Sequence, residues 1–215
     1  IPGSVKEIGP YAFYNCTNLG EGQLVSANDP TTLLVGNVVI ADGVEKIGER
    51  AFFGCESIAE LVIPDSVNTI GTKAFYKCTK LRKLTIGTGI ENIPDYAFYK
   101  CVALAELNLG SGLKTIGKYA FRGCEALVSI TIPEGVTGVG ANAFSGAASA
   151  VSLKLPSTLK EIGDYAFRGC ESLAELYLSR ELTVIGDYAF YGCTSLSSVA
   201  FWGTEEEWGK VNVSN

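Results

Sequence analysis

The side chains with the most reactive chemistry in this sequence are seven cysteines, at Cys16, Cys55, Cys78, Cys101, Cys124, Cys170 and Cys193. Thiols in this number can pair as disulfides, bind zinc as thiolates or act as nucleophiles. Zinc is disfavoured, because no C-x-x-C pair occurs and the 215 residues contain no histidine to complete a ligand set. The same lack of histidine excludes a nucleophilic triad with an imidazole base. Every cysteine falls three residues after a phenylalanine, and from Cys55 onward the spacing is 23 residues or twice that. If the copies stack, neighbouring Cα atoms lie about 5 Å apart, which is within disulfide reach, but in-register side chains point the same way and not at each other. Seven is also an odd number. We therefore read the cysteines as small buried hydrophobes.

Two other residue types recur in columns. Nine of the ten tyrosines sit two residues before or one after a repeat phenylalanine. Together with Arg122 and Arg168 they offer a carbohydrate or protein contact face, or simply inter-coil stacking, which we favour. Asp95, Asp164 and Asp187 fall where the first turn of a short helix is expected, a position that suits a negative charge. No phosphate-cradling glycine loop appears, and no carboxylate pair is singled out. We therefore expect no catalytic residue, no metal ligand and no cofactor; the chain is not expected to be an enzyme.

All these columns depend on one element. An Ala-Phe pair recurs at Phe13, Phe52, Phe75, Phe98, Phe121, Phe144, Phe167 and Phe190, every 23 residues from Phe52 onward. Only the first interval differs, at 39 residues, which is one period plus 16. A fixed period of this size marks a solenoid. Within each copy a segment such as Leu84-Thr85-Ile86 alternates apolar and polar, as a strand with one buried face does. Stacked copies should form a parallel sheet with strands about 4.8 Å apart. The return half, for example Val67, Ile70, Ala74, Phe75 and Cys78, spaces its apolar groups at three to five and predicts a short helical turn. Glycine at Gly48, Gly71, Gly117, Gly140, Gly163 and Gly186 is expected to permit a tight bend there.

We expect residues 1–215 to form one array of about eight 23-residue coils. A 16-residue insertion near 20–34, with an Asn-Asp-Pro turn signal, reads as a hairpin-like excursion. The tail near 199–215, which carries both tryptophans, reads as a cap. The chain contains no methionine and opens inside a repeat, so we expect it to be part of a longer protein whose signal and anchor lie outside this segment. A net charge of −6 with 17 basic residues argues against nucleic acid as a partner. The longest apolar runs are only a few residues, so no membrane insertion is expected in this segment.

The run Ile-Gly-x-x-Ala-Phe-x-x-Cys-x-x-Leu-x-x-Leu-x-Ile-Pro at this period resembles the leucine-rich repeats of BspA-like bacterial proteins, and the likeness covers nearly the whole chain. It departs from the pattern at Ala147, where cysteine is expected, and at Ala150, where leucine is expected. The resemblance implies an α/β leucine-rich repeat solenoid, right-handed and curved. The parallel β-sheet would line the concave side, with short helical turns and extended segments on the convex side. It also implies a non-enzymatic interaction or adhesion module of a secreted or surface-attached bacterial protein. The alternative is a structural spacer with no ligand of its own. The expected partner is a protein, such as a host matrix or cell-surface protein, with glycan as a second candidate, and the expected state is monomeric and extracellular. The candidate binding face is the outward side of the strands: Glu60, Lys83, Thr85, Glu106, Asn108, Lys154, Glu175 and Tyr177.

Overall fold

In the computed structural model, which describes residues 1–19, 24–25, 33–34 and 37–214, two parallel ladders of strands run along the molecule. The main sheet is built from one longer strand per coil. Asn37–Val39, Glu60–Ile63, Lys83–Ile86 and Glu106–Asn108 form a four-stranded run. Two further pairs follow, Ser129–Thr131 with Ser152–Lys154 and Glu175–Leu178 with Ser198–Phe201. Partners are one period apart throughout, as in Leu61 opposite Leu84 and Leu107 opposite Leu84. A minor ladder of two-residue strands stacks on the other side of the core: Glu7–Ile8, Lys46–Ile47 and Thr69–Ile70, then Asn92–Ile93 onward to Asn212–Val213. Its first pair sets Glu7 opposite Lys46, so the inserted residues leave the ladder in phase. Within that insertion Leu24–Val25 pairs antiparallel with Leu33–Leu34. The Asn-Asp-Pro signal between them lies outside the described residues.

The core lies between the ladders and is continuous from coil to coil. Strand residues alternate, Glu60 and Val62 exposed and Leu61 and Ile63 buried, which follows from the two-residue period of a strand. The repeat phenylalanines form one column of seven stacked pairs, with ring centroids 5.1–5.6 Å apart and planes within 17° of parallel. Those from Phe52 to Phe167 have no exposed surface. Each such ring contributes about 1.5–3 kcal/mol by burial alone.

The return half is not helical, which corrects the expectation of short helical turns and leaves the α/β label of the solenoid a loose one. The one helix among the described residues is Glu205–Trp208 in the tail. Around each phenylalanine the backbone donors alternate between two destinations. In the Phe98 coil, the N–H groups of Tyr96, Phe98 and Lys100 donate to the carbonyls of Lys118, Ala120 and Arg122 in the next coil. Those of Ala97, Tyr99 and Cys101 donate three residues back within their own coil. Half the donors a helix would use are thus taken by the neighbouring coil. Two residues per coil also have positive φ, Tyr96 at 59° and Lys100 at 56° in this case, and this breaks any helical run. The first of these columns holds no glycine: it reads Tyr11, Arg50, Lys73, Tyr96, Tyr119, Asn142, Tyr165 and Tyr188. A left-handed non-glycine residue costs about 1–2 kcal/mol, a cost that a well-placed hydrogen bond to the next coil offsets.

The glycines before the turn serve close approach rather than bending. None of Gly48, Gly71, Gly117, Gly140, Gly163 and Gly186 has positive φ. A Cβ on Gly71 would lie 2.3 Å from the Glu49 nitrogen, and one on Gly117 would lie 2.7 Å from the Ile93 oxygen. Pro94 occupies this column in one coil. Where Gly71 and Gly117 donate to Ile47 and Ile93 of the preceding coils, Pro94 has no N–H for Ile70, and its ring needs room. The minor ladder divides at that point, between Thr69–Ile70 and Asn92–Ile93. The aspartates likewise cap no helix. Asp95 accepts the Lys118 N–H at 2.7 Å and Asp164 the Asp187 N–H at 2.9 Å, each a bond between coils.

The tail is held by local chemistry. Thr204 and Glu207 form a reciprocal capping box on the short helix, and Trp208 packs against Phe201 at 5.2 Å. The backbone bond to Thr204 holds the Glu207 carboxyl below its usual range, helped by Arg180.

Two measurements check this architecture by chemical or thermal unfolding. Phe98→Ala is expected to destabilise by about 3–5 kcal/mol through lost burial and a cavity; a loss of a few tenths would mean the column is not packed. Gly117→Ala is expected to cost about 1–3 kcal/mol. Gly138→Ala, with nothing within 4 Å of the added carbon, should be neutral or stabilise by about 0.4–1 kcal/mol.

Candidate functional site

The eight outward residues named from the sequence all lie on main-sheet strands. Glu60 is on Glu60–Ile63, Lys83 and Thr85 on Lys83–Ile86, and Glu106 and Asn108 on Glu106–Asn108. Lys154 is on Ser152–Lys154, and Glu175 and Tyr177 are on Glu175–Leu178. Seven are exposed and Thr85 is half-buried. Several neutralise one another. Lys83 pairs with Glu106 at 3.0 Å, and this partner raises the ammonium pKa above its ordinary value. The Tyr177 hydroxyl donates to Glu175 at 3.0 Å, and the same carboxylate raises the phenol. On the earlier strands the Lys83–Glu106 pair is matched internally, and Val62 is the large apolar side chain exposed beside it.

The second half is different. A groove of about 680 Å³ opens at the C-terminal ends of the later strands, walled by Ile132, Pro133, Leu155, Pro156, Tyr177 and Trp202. Trp202 is 72% exposed and Tyr177 47%, and the two rings meet at 6.4 Å with a 60° tilt. A backbone bond from Trp202 N–H to the Leu178 carbonyl at 3.0 Å fixes the tryptophan beside the strand. Of the cations lining the groove, Arg180 is paired with Glu207 at 2.8 Å, whereas Lys154 forms no ion pair among the described residues. Large, exposed and adjacent aromatics beside one unpaired cation are the features of a recognition surface.

The opening coincides with the coil that breaks the repeat. Ala147 and Ala150 are fully buried where neighbouring coils have cysteine and leucine, as at Cys170 and Leu173. The phenylalanine spacing goes from 5.1 Å at Phe121–Phe144 to 5.6 Å at Phe144–Phe167. The main sheet divides twice, between Glu106–Asn108 and Ser129–Thr131 and again between Ser152–Lys154 and Glu175–Leu178. The groove brings together only Lys154 and Tyr177 of the eight named residues. Trp202 was assigned to the cap on sequence grounds; it occupies the column where other coils place Pro133 or Pro156, so that substitution and the two alanines were its signals.

The cysteines form no disulfide, and all except Cys16 are buried. They do more than fill space. Cys78, Cys101 and Cys124 donate their S–H at 3.4 Å to Phe52, Phe75 and Phe98, the phenylalanine carbonyl one coil back. Burial pushes the Cys55 thiol up to about 12, and Cys78 and Cys124 well above their ordinary value, so the thiols keep the proton they donate. Among the described residues no group of acidic or cysteine side chains gathers as a metal site, and no helix is long and apolar enough to cross a membrane.

Parallel ladders, an apolar strand face and a stacked phenylalanine column define a leucine-rich repeat solenoid. The sequence matches the family described as BspA type leucine rich repeat region, in six copies over residues 1–28, 31–137 and 91–212, and the chain belongs to that family. A leucine-rich repeat protein of T. pallidum, TpLRR, is 31% identical, with a TM-score of 0.66 over 77% of this chain and 80% of that one. A leucine rich cell surface protein of Faecalibacterium prausnitzii A2-165 is 24% identical, with a TM-score of 0.46 over 100% of this chain and 81% of that one. No curated protein matches the chain significantly.

Thiol titration checks the cysteine assignment. In the native state one thiol, Cys16, should react rapidly with an aromatic disulfide reagent, and all seven should react after unfolding without reductant. A total near one would show that the ladder is oxidised.

Proposed function

We propose that this array is a non-enzymatic protein-binding module, displayed outside a bacterial cell, that engages an extended segment of another protein at the groove under Trp202. The groove itself carries the reading: apolar walls, two exposed aromatic rings and the unpaired Lys154, gathered at one end of the sheet. Apolar anchors supply affinity and few polar groups supply orientation in such sites. The fitting partner is a peptide stretch with an apolar or aromatic anchor for the Trp202–Tyr177 corner and a carboxylate for Lys154. Membership of the BspA type family supports an interaction role, and adhesion to a host matrix or cell-surface protein is the form we favour. A structural spacer is the competing reading, supported by the matched polarity of the first coils.

The test is surface-immobilised binding of the purified array to a panel of extracellular-matrix and cell-surface proteins. We expect saturable binding to at least one, weakened about 30-fold or more by Trp202→Ala, the scale of about 2 kcal/mol typical of a buried aromatic anchor. Tyr177→Ala should act in the same direction, and Glu60→Gln, remote from the groove, should leave binding unchanged. Absence of saturable binding across the panel would favour the spacer.

A further inference from the structure

On the opposite side of the core, the positions flanking each buried phenylalanine form a stripe whose composition contradicts that of the chain. The columns two before, one after and two after the phenylalanines hold nine of ten tyrosines, six of 17 basic residues and none of 23 acidic ones. In a chain of net charge −6 this is a segregated cationic band. Of its six cations only Arg50 forms an ion pair among the described residues, with Glu49 at 2.8 Å.

The band is built, not scattered. Tyr14, Phe53, Tyr76 and Tyr99 stack in a row at 4.6–4.8 Å, and Tyr96 stacks on Tyr119 at 4.7 Å. Cations lie over ring faces, Lys73 on Tyr96 at 5.2 Å and Arg122 on Tyr119 at 5.5 Å. Between the two tyrosine columns runs a hollow of about 430 Å³ where Arg50 and Lys73 meet Tyr11, Tyr14, Tyr76 and Tyr96, with no carboxylate in its lining. A second hollow of about 470 Å³ farther along holds Lys100, Arg122 and Arg168, bordered by Glu125 and Glu171.

We propose that the first hollow and the band it opens onto bind a linear anionic polysaccharide laid along the solenoid axis. Its acidic groups would pair with Arg50 and Lys73, and its hydroxyls would bond to the tyrosine hydroxyls. The chemistry selects sugar over nucleic acid. Stacked neighbours and overlying cations already occupy the ring faces, so the hollow offers hydroxyls, ring edges and charges, whereas single-stranded nucleic acid needs free faces for its bases. The chain's overall negative charge also repels a densely charged polyanion more than a sparsely charged glycan. The ligand would run along the coils, because its contacts repeat at the coil spacing. This surface is separate from the Trp202 groove, and the proposal does not rest on it.

Binding of fluorescent hyaluronate and partly methyl-esterified polygalacturonate, both sparsely charged, to the whole chain tests this, with neutral dextran and an oligothymidylate as comparison arms. We expect saturable binding to at least one acidic polysaccharide, weakening as salt rises. Arg50→Gln with Lys73→Gln should lower affinity at least tenfold without lowering the melting temperature. Trp202→Ala should leave it unchanged. The proposal is overturned if neither acidic polysaccharide binds, if the double variant binds as well as the parent, or if neutral dextran or the oligonucleotide binds equally tightly.

Discussion

Everything in this molecule depends on how closely one coil's backbone lies on the next. Alternate N–H groups of the turns from Phe13 to Phe167, and those of both strand ladders, bond to the adjacent coil, so the spacing is that of a hydrogen-bonded sheet even where the chain is turning. At this distance each side chain rests on its counterpart one period away, and a residue that suits one coil suits them all. The phenylalanine column, the thiol ladder and the tyrosine rows each follow from that repetition.

The same constraint explains the exceptions. From Gly48 to Gly186 glycine recurs after the minor strand because a Cβ there would press on the neighbouring backbone, and where Pro94 replaces it the ladder divides. The left-handed column from Tyr11 to Tyr165 is tolerated without glycine because its N–H groups are committed to the next coil. Cysteine suits its buried position because it is small, apolar and able to offer one weak donor to a carbonyl that its own coil leaves partly unsatisfied.

Repetition also tells where recognition resides. A position identical in every coil is explained by packing, so distinctive chemistry arises where copies differ. Trp202 stands where other coils end the strand with proline, glycine or serine, and beside Tyr177 it closes a largely apolar groove. On the other side, exchange of tyrosine for arginine or lysine within a stacked row yields a cationic band on an acidic protein.

Much of this was legible in the residues. The 23-residue period, the inward face of each strand and the burial of the phenylalanine and cysteine columns are local and periodic properties, which a linear pattern records directly. Apolar groups at three-to-five spacing in the return half looked helical, because a row of tight turns places its inward residues at similar intervals. What separates the two is where the N–H groups go, and that depends on the neighbouring coil. The groove was hinted at only by tryptophan in a proline column: Trp202 and Tyr177 are 25 positions apart, and only stacking sets their rings side by side. By itself the sequence determined the repeat, the core and the outward columns, since each coil carries that information whole. Tertiary structure alone decided the turn conformation, the divided ladders and the meeting of Trp202 with Tyr177, since these arise between coils, from how closely adjacent backbones approach.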